Sequence, residues 1–267
     1  MRNILIPITS LLFTFSGHAQ VGVISHIDDS RPMARVAEQL QPLLGLPIHY
    51  EDLPLLFPGD LIDRTAEIMT PGQRASNPNV RIVQPKGGKM QLRTPQASAL
   101  EELQVAIGQY RANKLSGDFH TITVSGALVV IPVSARDEKG QDVPVVTVLS
   151  RVPSRGSYSG SAQQVLKQIL DDVSPTVKIG IGTIPFRAFM DTILVSTNNR
   201  SAREVLLELM ERVGGGKLYY HLYFDPFVKY YMLNIREIPA TATKNGSVDI
   251  PPTPAAIPAS TRFFPIK

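Results

Sequence analysis

The sequence predicts an α+β fold of two tandem small helix–sheet modules, each running helix, strand, strand, helix, hairpin. Three observations carry that expectation. A helix-opening phrase recurs, as Ser98-Ala99-Leu100-Glu101-Glu102-Leu103, as Ser201-Ala202-Arg203-Glu204-Val205-Leu206 and, more loosely, as Ser161-Ala162-Gln163-Gln164-Val165-Leu166. The first two lead into paired aromatic and β-branched runs that read as hairpins. Between them, Arg151 to Gly160 is rich in Ser, Gly and Pro and reads as a linker. The expected boundaries are a signal peptide over 1–19, a first module over 20–150 with a Pro-rich insertion at about 52–88, a linker over 151–160, a second module over 161–238 and a flexible tail over 239–267.

Met1-Arg2-Asn3, an apolar run from Ile4 to Phe15 and small residues Gly17 and Ala19 have the layout of a secretory signal, with cleavage expected after Ala19. As a membrane anchor the run is too short, since a bilayer core of about 30 Å needs roughly 20 apolar residues. Cleavage leaves 26 of the 27 Lys and Arg against 23 Asp and Glu, a mature charge of +3 spread along the chain. That is no dense basic patch, so nucleic acid is excluded as a partner class. The chain has no Cys, which removes disulfides, thiolate metal sites and a cysteine nucleophile.

After a β-branched run at Val21–Ile27, Ser30 is expected to cap a helix with Pro32 in its first turn and Met33, Val36, Ala37, Leu40 and Leu44 on one face. Pro42 is placed to cut that helix short, and Gly45 to end it at the latest. Leu46–Tyr50 reads as a strand whose start or edge is marked by Pro47. Residues 51–88 hold Pro54, Pro58, Pro71, Pro78 and Pro85 and read as irregular, with a short strand at Val80–Val83. Lys89–Arg93 is the next strand. The Ser98 helix turns Leu100, Leu103, Ala106, Ile107 and Tyr110 to one side. Phe119–Val124 and Leu128–Val133 pair about Gly126, and Val143–Leu149 can return as a third strand. In the second half the Ser161 helix, strands at Val177–Ile181 and about Ile193–Val195, the Ser201 helix and a hairpin of Leu218–Phe224 with Val228–Ile235 follow in order. Each Ser opening reads as a capping box, in which the hydroxyl and the Glu or Gln three residues on exchange hydrogen bonds with each other's amides.

Candidate chemistry is sparse. His26, His49, His120 and His221 show no metal-ligand spacing, and a zinc site would have to be assembled in three dimensions. In His49-Tyr50-Glu51-Asp52 the two carboxylates point to opposite sides if extended, which opposes an acid–base pair. No Gly-x-Ser-x-Gly elbow is present in a strand–helix setting, and Gly180-Ile181-Gly182 lacks the third glycine and the helix of a dinucleotide site. Catalytic residues, cofactors and metals are therefore expected to be none. The strongest local signal is aromatic: Tyr219, Tyr220, Tyr223, Phe224, Phe227, Tyr230 and Tyr231. Strand alternation puts Tyr219, His221 and Tyr223 on one face and Leu218, Tyr220, Leu222 and Phe224 on the other. The second set is the natural core face. The first is a candidate interaction row, or else a set of cross-strand aromatic pairs. Phe263 and Phe264 in the tail are a second candidate docking element, or an exposed end without a role.

The order of elements resembles the short N-terminal domain shared by secretins and TonB-dependent receptors. The residues carrying the likeness are Val165-Leu166 to Leu170 followed by Val177-Lys178-Ile179, and Val205-Leu206-Leu207 to Met210 followed by the Tyr-rich hairpin. The long Pro-rich insertion departs from the compact family domain, and no β-barrel or secretin pore follows in the sequence. The resemblance implies docking between envelope proteins or transmission of a signal across a membrane. The expected function is thus an exported, non-enzymatic envelope module, periplasmic or secreted, that binds protein as an accessory to a secretion or uptake assembly. Its expected partners are envelope proteins. Binding of glycan or cell-wall peptide is the alternative, and a hydrolase with an unrecognised site the third class.

Overall fold

The computed structural model describes residues 23–239 apart from 94, 96, 97, 175 and 176. The expected signal peptide, the tail from residue 240 and its Phe263 and Phe264 lie outside the described residues. The chain is α+β, and no described helix is long and apolar enough to cross a membrane.

The elements of the first half are β1 (Val23–Asp29), α1 (Pro32–Leu44), β2 (Ile48–Glu51), β3 (Leu61–Asp63), α2 (Thr65–Ile68), α3 (Pro71–Ser76), β4 (Val83–Pro85), β5 (Gly88–Arg93), α4 (Ala99–Ala112), β6 (Asp118–Val124), β7 (Ala127–Arg136) and β8 (Asp142–Pro144). Those of the second are β9 (Ser157–Ser161), α5 (Ala162–Val173), β10 (Ile179–Ile181), β11 (Thr192–Ser196), α6 (Ala202–Gly214), β12 (Leu218–Asp225) and β13 (Tyr230–Glu237). Ser98, Ser161 and Ser201 open α4, α5 and α6 with complete capping boxes. Each box satisfies amides that the first helical turn cannot pair internally.

The local expectations are corrected at several points. Arg31, not Ser30, is the residue before α1, with Pro32 as its first helical residue. The helix runs through Pro42 to Leu44 and stops at Gly45, whose φ of 66° is left-handed. The apolar face of α1 supplies the reason: Met33, Val36, Ala37 and Leu40 are all buried, and that packing outweighs the missing Pro42 amide. Residues 51–88 are not structureless, because β3 and β4 pair antiparallel across the two short helices. Of the expected linker, Ser157–Gly160 lies in β9, which pairs with β11.

One central sheet has the order β10-β13-β12-β2-β7-β6, with β8 also beside β7. Within it β2 runs parallel to β7, whose hairpin partner is β6, and β10 runs parallel to β13, whose hairpin partner is β12. Each half therefore contributes three strands in the same connectivity, and the first half adds β8 as a fourth. Each half adds a two-stranded antiparallel ribbon, β1 with β5 and β9 with β11. The halves join where β2 pairs in parallel with β12, at His221 opposite Tyr50 and Leu222 opposite Glu51. α1 and α4 cover the sheet face that carries Tyr50 and Phe119, with Glu38 of α1 near His221 and Tyr110 of α4 against Phe119. The opposite face carries Glu51 and Tyr220 and receives α6 through Arg203. Apolar residues of both halves form one continuous core.

Candidate functional site

The seam between β2 and β12 gathers most of the polar residues singled out in the sequence. β2 is only four residues long, and side chains extend its ladder. The Asp52 amide donates to the Leu222 carbonyl at 2.8 Å, the Tyr220 amide donates to His49 Nδ1 at 3.2 Å, and the Phe224 amide donates to Asp52 Oδ2 at 3.1 Å. Glu51 and Asp52 do point to opposite faces. Glu51 takes a two-pronged bond from Arg203, Nε to Oε1 at 2.6 Å and Nη2 to Oε2 at 2.9 Å, and a third from the Tyr220 hydroxyl at 2.8 Å. Asp52 takes Arg31 Nε at 2.6 Å and the Tyr50 hydroxyl at 2.8 Å, while Arg31 Nη2 donates to the Phe224 carbonyl at 2.7 Å. Burial, then the charge of Glu51, pushes the Tyr220 hydroxyl well above its ordinary range. Both carboxylates are thus occupied by arginines and protein hydrogen bonds. They hold the seam rather than face a substrate.

The Tyr219, His221, Tyr223 row shares one face, as alternation predicts, but it is not an exposed row. α1 lies over it. Tyr219 is 5 % exposed and His221 2 %, and Tyr223 is half-buried. His221 Nδ1 lies 2.8 Å from the Tyr223 hydroxyl and 3.5 Å from Glu38 Oε1. Glu38 also meets Arg35 at 3.0 Å and Arg236 at 3.4 Å. Burial opposes charge on Glu38, but the His221 hydrogen bond and the two arginines outweigh it and bring the carboxyl down to about 2. Alternation assigns residues to faces and says nothing of which helix covers a face, hence the correction. His49 sits on the opposite face, stacked on Tyr220 with ring centres 4.7 Å apart, and burial, then the charge of His221, brings it down to about 3. His120 is exposed on β6. Among the described residues no group of three His, Asp or Glu side chains is placed to hold a metal ion.

What remains open is a sheet edge. β6 pairs with β7 on one side only among the described residues. The Phe119 carbonyl accepts Arg111 Nη2 at 3.1 Å, so it points away from β7. By the two-residue period of a strand, the backbone groups of Thr121 and Thr123 point the same way. Edge strands are commonly guarded by Lys, Pro or inward charges. β6 contains no Lys or Pro, and Asp118, its one charged residue, is paired with Arg111.

The chain matches no family model, no curated protein and no solved structure.

Sequence reasoning did not foresee Arg203 or Arg31 as the partners of Glu51 and Asp52. One signal for Arg203 was legible. It is a cation one turn before Leu206 on the stripe of α6, where the first copy of the phrase carries Leu100.

Proposed function

We propose that this chain is an exported, non-enzymatic docking protein of a cell envelope, accessory to a secretion or uptake assembly. In this reading it consists of two tandem modules akin to the short N-terminal domain of secretins and TonB-dependent receptors, and it binds a partner protein by adding a partner strand to β6. The observation that carries the reading is the β6 edge, where Arg111 covers the Phe119 carbonyl but the outward backbone groups of Thr121 and Thr123 lie beyond it, with no Lys or Pro in the strand. A bare edge of this kind is a template for strand addition, where main-chain hydrogen bonds give affinity and alternate side-chain contacts give selectivity. The twofold order of strands and helices supports the tandem reading, and the occupied state of Glu51, Asp52 and Glu38 supports a non-enzymatic one.

The test is photo-crosslinking in cells that express the full chain, with the crosslinker at Thr123 and a control copy at Val105 on exposed α4. A discrete adduct at Thr123 and none at Val105 is expected, on a protein found outside the cytoplasm and beginning at Gln20. Thr121→Pro removes an outward amide while sparing the ladder to β7, and should abolish the adduct with little change in melting temperature. An adduct that survives Thr121→Pro, or turnover by the purified protein on a panel of esters, peptides and glycosides, would sink the reading.

A further inference from the structure

We infer that a cleft in the first half is a binding site for a small carboxylate that carries an apolar or aromatic body. The cleft encloses about 240 Å³ beneath the start of α1, the β3–β4 pair and the loop after α4. An apolar cavity of roughly 150 Å³ takes up benzene. The larger space here suits a ring with a short acid-bearing arm.

The floor is aromatic. Tyr50 and Phe119 lie with ring centres 5.6 Å apart, and Tyr110 meets Phe119 edge-on at 5.2 Å. Leu53, Leu55 and Leu115 complete the apolar wall. The wall also holds two guanidiniums, both already committed: Arg31 to Asp52 at 2.6 Å and Arg136 to Asp60 at 2.8 Å. Two exposed lysines, Lys86 and Lys114, also line the cleft, and neither has an ion-pair partner among the described residues. Four cations against two carboxylates leave the lining positive, with the surplus on the two lysines.

Backbone geometry puts those lysines there. Gly87, with φ of 66°, passes the β1–α1 junction so closely that a Cβ would lie 2.0 Å from the Asp29 carbonyl oxygen. At Gly88 a Cβ would lie 2.3 Å from Leu115 Cδ2. At Gly87 the clash is with backbone and the φ is left-handed, so only glycine allows that approach, while Leu115 at Gly88 adjoins Lys114, itself held at φ of 53°. The opening turn of α1 faces the same space, and the Asp29 carboxylate just before it already accepts the Arg31 amide at 2.8 Å, so the preference for an anion comes from the lysines.

The ligand class follows from this division. Arg31 has Nε and Nη2 engaged and Arg136 has Nη1 engaged, which leaves the two lysines as the main anchors for an anion. Lysines hold an anion as point charges, which a carboxylate satisfies, and the aromatic floor requires hydrocarbon beside it. A peptide C-terminus and a free carboxylic acid share this chemistry. The site does not depend on β6 engaging a partner.

Calorimetric titration of the full chain tests it, with hydrocinnamate against its uncharged counterpart hydrocinnamyl alcohol, and acetyl-Ala-Ala-Ala-Phe against the same peptide amidated at its C-terminus. The acids should bind and the uncharged forms should bind more weakly by about tenfold or more. The exposed pair Lys86→Gln with Lys114→Gln should weaken the acids about as much while leaving the melting temperature unchanged. A peptide acid that binds more tightly than hydrocinnamate identifies a peptide C-terminus as the source, and the reverse order a free acid. Absence of heat with both acids, equal binding of acid and alcohol, or unchanged affinity in the lysine variant each overturn the site.

Discussion

The third residue of the repeated phrase is Leu100 in the first half and Arg203 in the second, and their burial is the reverse of their polarity. Leu100 is 36 % exposed and Arg203 is 6 % exposed. The two helices open with the same capping box, so the local chemistry of the turn is equal. The difference comes from what lies opposite. α6 sits over the seam and meets Glu51 from the other half, while Leu100 lies on the outer side of α4. A short motif can specify where a helix begins without specifying which of its positions become interior.

The comparison breaks most sharply if the buried pair is split. Arg203→Ala leaves Glu51 buried and without its cation, and should cost about 3–5 kcal/mol in urea unfolding. Arg203→Met with Glu51→Gln should recover much of that loss, because the uncompensated charge is removed. Leu100→Ala, at the equivalent position, should cost less than about 1 kcal/mol. Equal losses at the two positions would mean that the seam contributes nothing special.

An acid titration of stability is the next test. His49 is held down to about 3, so it stays neutral when folded but takes a proton when unfolded below its ordinary range near 6.5. Glu38 is held down to about 2 against an ordinary 4.5. For both groups the folded value is depressed. Their stability is therefore present above the unfolded value and is lost as pH falls, from about 6.5 towards 3 for His49 and from about 4.5 towards 2 for Glu38. The free energy of urea unfolding should fall steadily below pH ~6.5, by of order 1–3 kcal/mol for each group. Glu38→Gln should flatten only the lower part of the curve, and His49→Gln the upper. Variants that leave the profile unchanged would remove both groups from the account.

The smallest expected effects lie at the caps. Ser98→Ala, Ser161→Ala and Ser201→Ala should each lower stability by about 1 kcal/mol, with similar values in both halves because the same two hydrogen bonds are lost. A markedly larger loss at Ser201 would show that its box is coupled to the Arg203–Glu51 pair beside it.

The sequence by itself determined the α+β class, the starts of α4, α5 and α6 and the side of β12 on which each aromatic residue lies. A capping box and a strand period act between residues two to four apart, so a single stretch of chain contains them. The same is true of the opposition of Glu51 and Asp52. Tertiary structure alone decided that α1 would cover Tyr219, His221 and Tyr223, that Pro42 would remain inside a helix, and that β12 would pair with β2 to join both halves in one sheet. It also decided that Arg203 would be buried and Leu100 left exposed. These outcomes depend on partners up to 198 residues apart, such as Glu38 with Arg236, and burial is a property of the whole packed surface rather than of any one segment.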